Sequence, residues 1–308
     1  MRVLARPSTA LDNLDGLGVE VALGDLNDPR SLEAAVEGCR QVYHCAADYR
    51  LWTRNPDELY RTNVQGSEAL FTACRARAVE KVVYTSSVAA IGIPPHGEGD
   101  EDTPVCLDDM IGHYKRSKFL AQEVALRFAA QGYPVIIVNP STPIGPQDNK
   151  PTATGKIIVD FLKGKMPAYT DTGLNLVAVE DVARGHLLAA ERGVPGRLYI
   201  LGDDNLTLKQ ILDKLAAITG LPSPRIRLPY HFVYWLARIE NFISLWLGRE
   251  PLIPLEGVKM SKKRMWFSAR RARAELGFET TSSDAALERA VRWFVEHNYA
   301  PRPKGLRA

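Results

Sequence analysis

The chain has 308 residues, 45% apolar and 24% charged, with a formal net charge of +3. That length allows a sizeable core in one large or two unequal domains, and so mild a charge gives no reason to expect nucleic acid as a partner. Cys39, Cys45, Cys74 and Cys106 form no C-x-x-C and no His/Cys cluster, so no metal site or disulfide framework is expected, and neither a membrane-spanning run nor a signal-peptide layout stands against a reducing cytoplasm.

Residues 2–5 read as a short strand running straight into the loop Arg6-Pro7-Ser8. A second strand over 19–23 stops at Gly24-Asp25. Asp28-Pro29 supplies an N-cap and a first-turn proline for a helix over 31–36. A third strand over 41–47 runs out into the small residues Ala46 and Ala47. The spacing of Leu59, Val64, Leu70, Phe71 and Cys74 predicts a helix over 56–78. The strand over 81–85 delivers Ser86 and Ser87 at its C-terminal end, and a fifth over 135–138 ends at Asn139-Pro140.

Near-continuous apolar strands alternating with amphipathic helices indicate an α/β fold: a doubly wound parallel sheet covered on both faces. Ligands of such sheets sit outside the carboxyl ends of the strands. Gly24-Asp25-Leu26, Ala46-Ala47, Ser86-Ser87 and Asn139-Pro140-Ser141-Thr142 all occupy such ends. After about Ser141 the texture changes, with more proline, helices predicted over 154–163, 181–191, 207–219 and 283–297 and a strand over 197–201. The expected division is a sheet domain over 1–150 and a smaller, mostly helical lobe over 151–308, partly woven back into the sheet.

Between the fourth and fifth strands lies the stretch that carries chemistry. Of eleven tyrosines, only Tyr114 has a lysine four residues on, Lys118, and the pair opens a helical pattern through Phe119, Leu120, Val124 and Phe128. That spacing puts both side chains on one helix face, one turn apart. An ammonium beside a phenol favours the phenolate, so the Tyr114 pKa is expected to fall from about 10 towards neutrality. Such a tyrosine takes a proton from an alcohol or gives one to a ketone, with the Ser87 hydroxyl on the same oxygen. By itself the pair is equally well explained as an exposed helix pair; its surroundings decide.

In those surroundings the chain resembles the extended short-chain dehydrogenase/reductase family. The matching stretches are Gly24-Asp25-Leu26, His44-Cys45-Ala46-Ala47, Thr62-Asn63-Val64-Gln65-Gly66, Tyr84-Thr85-Ser86-Ser87, Tyr114-x-x-x-Lys118 and Asn139-Pro140-Ser141-Thr142-Pro143-Ile144-Gly145-Pro146. Within the family it is most similar to the bacterial hopanoid-associated sugar epimerases and more distantly to dihydroflavonol 4-reductases. The resemblance implies a Rossmann-type fold with 1–150 as its dinucleotide-binding domain. It makes Tyr114 the acid/base, Lys118 the residue that lowers its pKa and holds the nicotinamide ribose, and Ser87 the residue that orients the substrate oxygen. Asp25 and Leu26 would lie along the adenine, Ala46 and Ala47 along ribose and phosphates, and Pro140, Ser141 and Thr142 against the nicotinamide. Asn63 would brace the site without reacting.

Two departures accompany the resemblance. The family opens with a strand, a G-x-x-G-x-x-G turn and a helix, and here the first strand corresponds to the family's second, so a start assigned too late is expected, ahead of a fragment or a decayed gene. Many relatives carry histidine where this chain has Ala178. At the end of the first strand Arg6 stands where a carboxylate would select NAD, which favours NADP over NAD.

Residues 230–247 are rich in aromatics, broken only by Arg238 and Glu240. They read as an amphipathic helix lining the substrate lobe or, less simply, as a helix on a membrane surface or against a lipid-linked substrate. The seven bases Lys259, Lys262, Lys263, Arg264, Arg270, Arg271 and Arg273 read as a solvated face, with anionic lipid or a diphosphate as the alternative. The acidic loop Glu98 to Asp102 is expected to be solvated, and His44, His113 and His186 structural or pocket-lining. The preferred reading is a cytoplasmic NAD(P)-dependent sugar epimerase or oxidoreductase acting on a small sugar or lipid-linked substrate, and the resemblance implies a homodimer and a place in hopanoid lipid synthesis. A ketone reductase is the alternative, and a non-catalytic scaffold that has lost its phosphate loop is the rival from another class.

Overall fold

Short runs of β-branched and aromatic residues form the parallel strands, and polar punctuation between them starts the helices. In the computed structural model, which describes residues 1–249 and 251–306, β1 (Arg2–Ala5) pairs in parallel with β2 (Glu20–Leu23). Asp28 caps α1 (Pro29–Val36), its carboxylate accepting from the Arg30 amide at 3.1 Å. β3 (Gln41–His44) leads through a loop into one continuous helical run. That run comprises α2 (Asp57–Tyr60), a π turn over Arg61–Gln65 and α3 (Gly66–Ala76). β4 (Lys81–Thr85), α4 (Gly112–Ala130) and β5 (Val135–Pro140) follow.

Next come β6 (Thr142–Ile144), α5 (Ala153–Leu162), β7 (Ala168–Thr170), β8 (Gly173–Ala178) and α6 (Val179–Arg192). β9 (Leu198–Leu201), β10 (Asp204–Thr207), α7 (Leu208–Thr219) and β11 (Ile226–Leu228) precede α8 (Tyr230–Leu247). The chain closes with α9 (Leu255–Met260), β12 (Arg264–Met265), α10 (Arg270–Leu276) and α11 (Ser283–Glu296).

The main sheet is parallel, in the order β3-β4-β5-β9, and β5 is buried along its whole length. β9 returns to it from the second half of the chain, with Val138 opposite Tyr199. Among the described residues no ladder joins β1 and β2 to this sheet. The two pieces share a core instead: Leu4 and Val42 both pack on the cluster of Leu26, Leu32, Leu70, Phe71 and Val82. Burial of that apolar surface, worth about 25 cal/mol per Å2, holds the pieces together where ladder hydrogen bonds do not.

A second sheet, β10-β8-β12 with β6 also on β8, lies in the part expected to be mostly helical. Its strands are too short for alternation to show, and β8 finds its partners far along the chain. The acidic loop is anchored as well as solvated. Glu101 accepts from the Ile200 amide at 2.8 Å, and Asp102 pairs with Arg271 at 2.5 Å.

Candidate active site

Tyr114 lies in the first turn of α4, which begins at Gly112 with φ +81°. Only glycine adopts that backbone at no steric cost, and a Cβ there would also collide with the Glu256 carboxylate. The Glu256 carboxylate of α9 thus lies against the first turn of α4, near backbone amides that have no side-chain cap of their own. Tyr114, Lys118 and Gln122 follow one another at four-residue intervals, one helix face presented to the ends of β4 and β5.

Lys118 Nζ donates to the Thr85 carbonyl at 2.8 Å and lies 5.2 Å from the centroid of the Tyr84 ring. Gln122 Oε1 accepts from Ser86 Oγ at 2.8 Å and from Asn139 Nδ2 at 2.7 Å. Asn139 Nδ2 also reaches the Ser87 carbonyl at 3.0 Å. A buried polar network thus ties α4 to both strand ends below the tyrosine. Ser87 caps the short turn Val88–Ala90, accepting from the Ala89 amide at 3.1 Å, and its hydroxyl sits beside the Tyr114 phenol.

Burial pushes the Tyr114 phenol above its ordinary value, and the Ser87 hydrogen bond opposes this only in part. The expected fall towards neutrality is not found, because Lys118 turns to Thr85 and Tyr84 and desolvation outweighs the partner. Lys118 itself is lowered to about 8 by burial. His44 is fully buried, with Nε2 2.8 Å from Ser67 Oγ; burial first, then the Lys118 charge, lowers it to about 3. His113 is exposed, its Nδ1 3.1 Å from Tyr60 Oη.

His186 joins a chain that sequence reading missed. Its Nδ1 is 2.8 Å from the Val182 carbonyl and its Nε2 2.8 Å from Thr85 Oγ1, which donates in turn to Cys45 Sγ at 3.4 Å. Burial works to raise the Cys45 thiol, but hydrogen bonds from His186 and Thr85 with the Lys118 charge carry it below its ordinary value. Only the strand-end position of Cys45 and Thr85 hints at this in sequence; His186 comes from an element on the far side of the sheet.

The other expected binding residues fall into two groups. Ala46, Ala47, Pro140, Ser141 and Thr142 stand at the carboxyl ends of β3 and β5 with the catalytic candidates. Arg6, Asp25 and Leu26 belong to the β1–β2 piece: Arg6 is exposed, Asp25 Oδ1 accepts from the Asn27 amide at 2.8 Å, and the Leu26 side chain is in the core, leaving only its backbone to a ligand. Ser141 Oγ and Asn139 Oδ1 are buried without a partner among the described residues, at the carboxyl end of β5. These groups fit the two ends of a nicotinamide dinucleotide. Beside the start of α4, a cleft of about 200 Å3 is lined by Leu51, Trp52, Leu59, His113, Leu255 and Glu256.

Residues 2–202 match the NAD dependent epimerase/dehydratase family. The chain belongs to that family. It is 45% identical over 304 residues to a putative dihydroflavonol 4-reductase of Synechocystis sp., covering 97% of this chain and 88% of that protein. It is 34% identical over 298 residues to sterol demethylase protein B of Methylococcus capsulatus, covering 96% and 91%. The crystal structure of gox2253 superposes with a TM-score of 0.87 at 42% identity, covering 97% and 91%. Membership of the epimerase/dehydratase family makes this an NAD(P)-dependent enzyme on a Rossmann-type fold, in agreement with the resemblance carried by its motifs.

Proposed function

We propose that the enzyme transfers a hydride between NAD(P) and a secondary alcohol or ketone, in the direction of ketone reduction, on a substrate with an apolar ring system. The observation that carries this reading is the meeting of Ser87 and a protonated Tyr114 above buried Lys118. Ser87 and Tyr114 would both donate to the carbonyl oxygen, and the Tyr114 proton would pass from Oη to that oxygen as the carbonyl becomes a hydroxyl. The Lys118 ammonium would steady the phenolate left behind. The chemistry that bound NAD(P) supplies is a hydride to the carbonyl carbon. Lys118, Ser141 and Thr142 would hold its nicotinamide half, Ala46 and Ala47 its ribose and phosphates, and Asp25 and the Leu26 backbone its adenine. Arg6 would pair with a 2′-phosphate and so favour NADP.

The reductase and demethylase names of the relatives support a ring ketone over a free sugar, with Leu51, Trp52, Leu59, Pro254 and Leu255 as the apolar half of a mixed cleft lining. Sugar epimerisation in hopanoid lipid synthesis, by a homodimer, would use the same three residues with no net use of cofactor. The test follows NADPH oxidation with a panel of cyclic ketones, on this chain and on one extended upstream in frame. Tyr114→Phe is expected to lose a factor of about 100 to 10,000 in turnover while tryptophan quenching still reports cofactor binding. Arg6→Ala is expected to raise KM for NADPH more than for NADH. Cofactor binding by neither chain overturns the reading; conversion with the cofactor returned unchanged favours epimerisation.

A further inference from the structure

α8 faces outward. Phe232, Trp235, Ile239, Phe242, Ile243 and Trp246 recur along it at three- and four-residue intervals and all are exposed, Trp246 to 85%. The opposite face, through Ala237 and Ser244, is the one that meets the protein, and Asn241 Nδ2 fastens it to the Ile253 carbonyl at 2.7 Å. Lining of the substrate lobe therefore accounts only for the inner face. So continuous an apolar stripe in water marks a contact surface.

Cations border the stripe among the described residues. The Arg238 guanidinium lies 5.2 Å from the centroid of the Trp235 ring, and Arg54 donates to the Gly248 carbonyl at the C-terminal end of α8. α9 packs on α8. Lys259 on it and Lys262 and Lys263 just after it are exposed, with no carboxylate within ion-pair distance among the described residues. Two of the described acids nearby, Glu240 and Glu256, turn inward, whereas Asp109 near Lys263 is exposed. Glu240 accepts from Ser244 Oγ at 2.8 Å and from the Leu252 amide at 3.1 Å, while the Glu256 carboxylate lies against the first turn of α4.

We propose that α8 docks flat on the surface of a bilayer containing anionic lipid, its aromatic stripe at the level of the headgroups and the flanking arginine and lysines against the phosphates. Tryptophan and phenylalanine on one face of a helix edged with cations have the composition of an interfacial helix. No helix among the described residues is long and apolar enough to cross a membrane, so the attachment is to one leaflet. A second copy is a poorer occupant, because a two-fold contact sets like surface against like and would oppose the same lysines, whereas anionic headgroups neutralise them. Asn241 and Lys259 also line the cleft at the start of α4, which docking would hold at the lipid surface. The proposal does not depend on the catalytic reading.

Sedimentation of the full chain with phosphatidylcholine vesicles, with and without phosphatidylglycerol, tests it. The chain is expected to pellet with the phosphatidylglycerol vesicles and to be released by salt. Phe242→Glu/Trp246→Glu is expected to weaken partitioning about tenfold or more, and Lys262→Gln/Lys263→Gln by about fivefold per charge. All four positions are exposed, so both variants should keep the parent's thermal melt and isolate the surface effect. No pelleting with either vesicle overturns the proposal, as does pelleting that the double glutamate variant leaves unchanged. A parent dimer in light scattering that the same variant splits, without vesicle binding, also overturns it and assigns the stripe to a second copy.

Discussion

Asn63 Nδ2 donates to Ser117 Oγ at 2.9 Å, a buried bond that joins the π turn to α4 three residues from Tyr114. The same amide donates to the Asp48 carbonyl at 2.8 Å, and Asn63 Oδ1 accepts from the Asp48 amide at 2.7 Å. Ser117 Oγ completes the link by donating to the Tyr114 carbonyl at 2.8 Å. One asparagine therefore sets the loop after β3 and the start of α4 in a single register. π turns of this kind are over-represented at functional sites.

Asn63→Leu keeps the branched shape and removes the three bonds of the Asn63 side chain, leaving the Asp48 backbone groups unpaired and Ser117 Oγ with the Tyr114 carbonyl alone. The expected cost is about 1 to 3 kcal/mol of stability, read as a lower melting temperature. A fall in kcat/KM beyond what residual folding explains would accompany it. Asn63→Leu melting with the parent would show that the bonds are replaceable by water.

Lys118 has a folded pKa of about 8, lowered by burial from its ordinary value. Its positive charge is therefore complete below pH 8 and is lost above it. Ketone reduction is expected to hold level up to that point and then decline, because the phenolate left by Tyr114 loses its stabilising cation. In Lys118→Met the limb near pH 8 should vanish from the kcat/KM profile along with most of the rate. A limb that persists at the same pH in the variant would belong to another group.

His44 concerns stability rather than rate. Its folded pKa of about 3 lies below the ordinary value of about 6.5, so between these pH values the unfolded chain binds the proton and the folded one does not. Stability from this group is present above 6.5 and is lost as pH falls, at about 1.4 kcal/mol per pH unit. A melting curve series from pH 7 to pH 4 is expected to slope down accordingly, and His44→Phe to flatten it. Equal slopes in parent and variant would place the acid sensitivity elsewhere.

The catalytic candidates were legible because their geometry is local. Four-residue spacing puts Tyr114 and Lys118 on one face of any helix, and an apolar strand ending in Thr85-Ser86-Ser87 delivers its hydroxyls to the carboxyl edge of any parallel sheet. Gln122 continues the same spacing by one more turn and was available to the same logic. Asn139, which meets Gln122 from another strand, has no such signature, since nothing in one strand names the side chain its neighbour will present. The chain from Cys45 through Thr85 to His186 likewise needs β3, β4 and α6 in place before its three residues have anything in common.

By itself the sequence determined the order of strands and helices in the first half and the residues at the strand ends through short-range periodicity, and the family through the resemblance of its short motifs. Tertiary structure alone decided the rest. Whether Tyr114 titrates up or down depends on how deeply it is buried and on where Lys118 turns, and burial is a property of the assembled core. Whether the apolar residues of α8 face the protein or water depends on which side of that helix finds a partner. Both are differences in solvation, and solvation is set by neighbours that lie far apart along the chain.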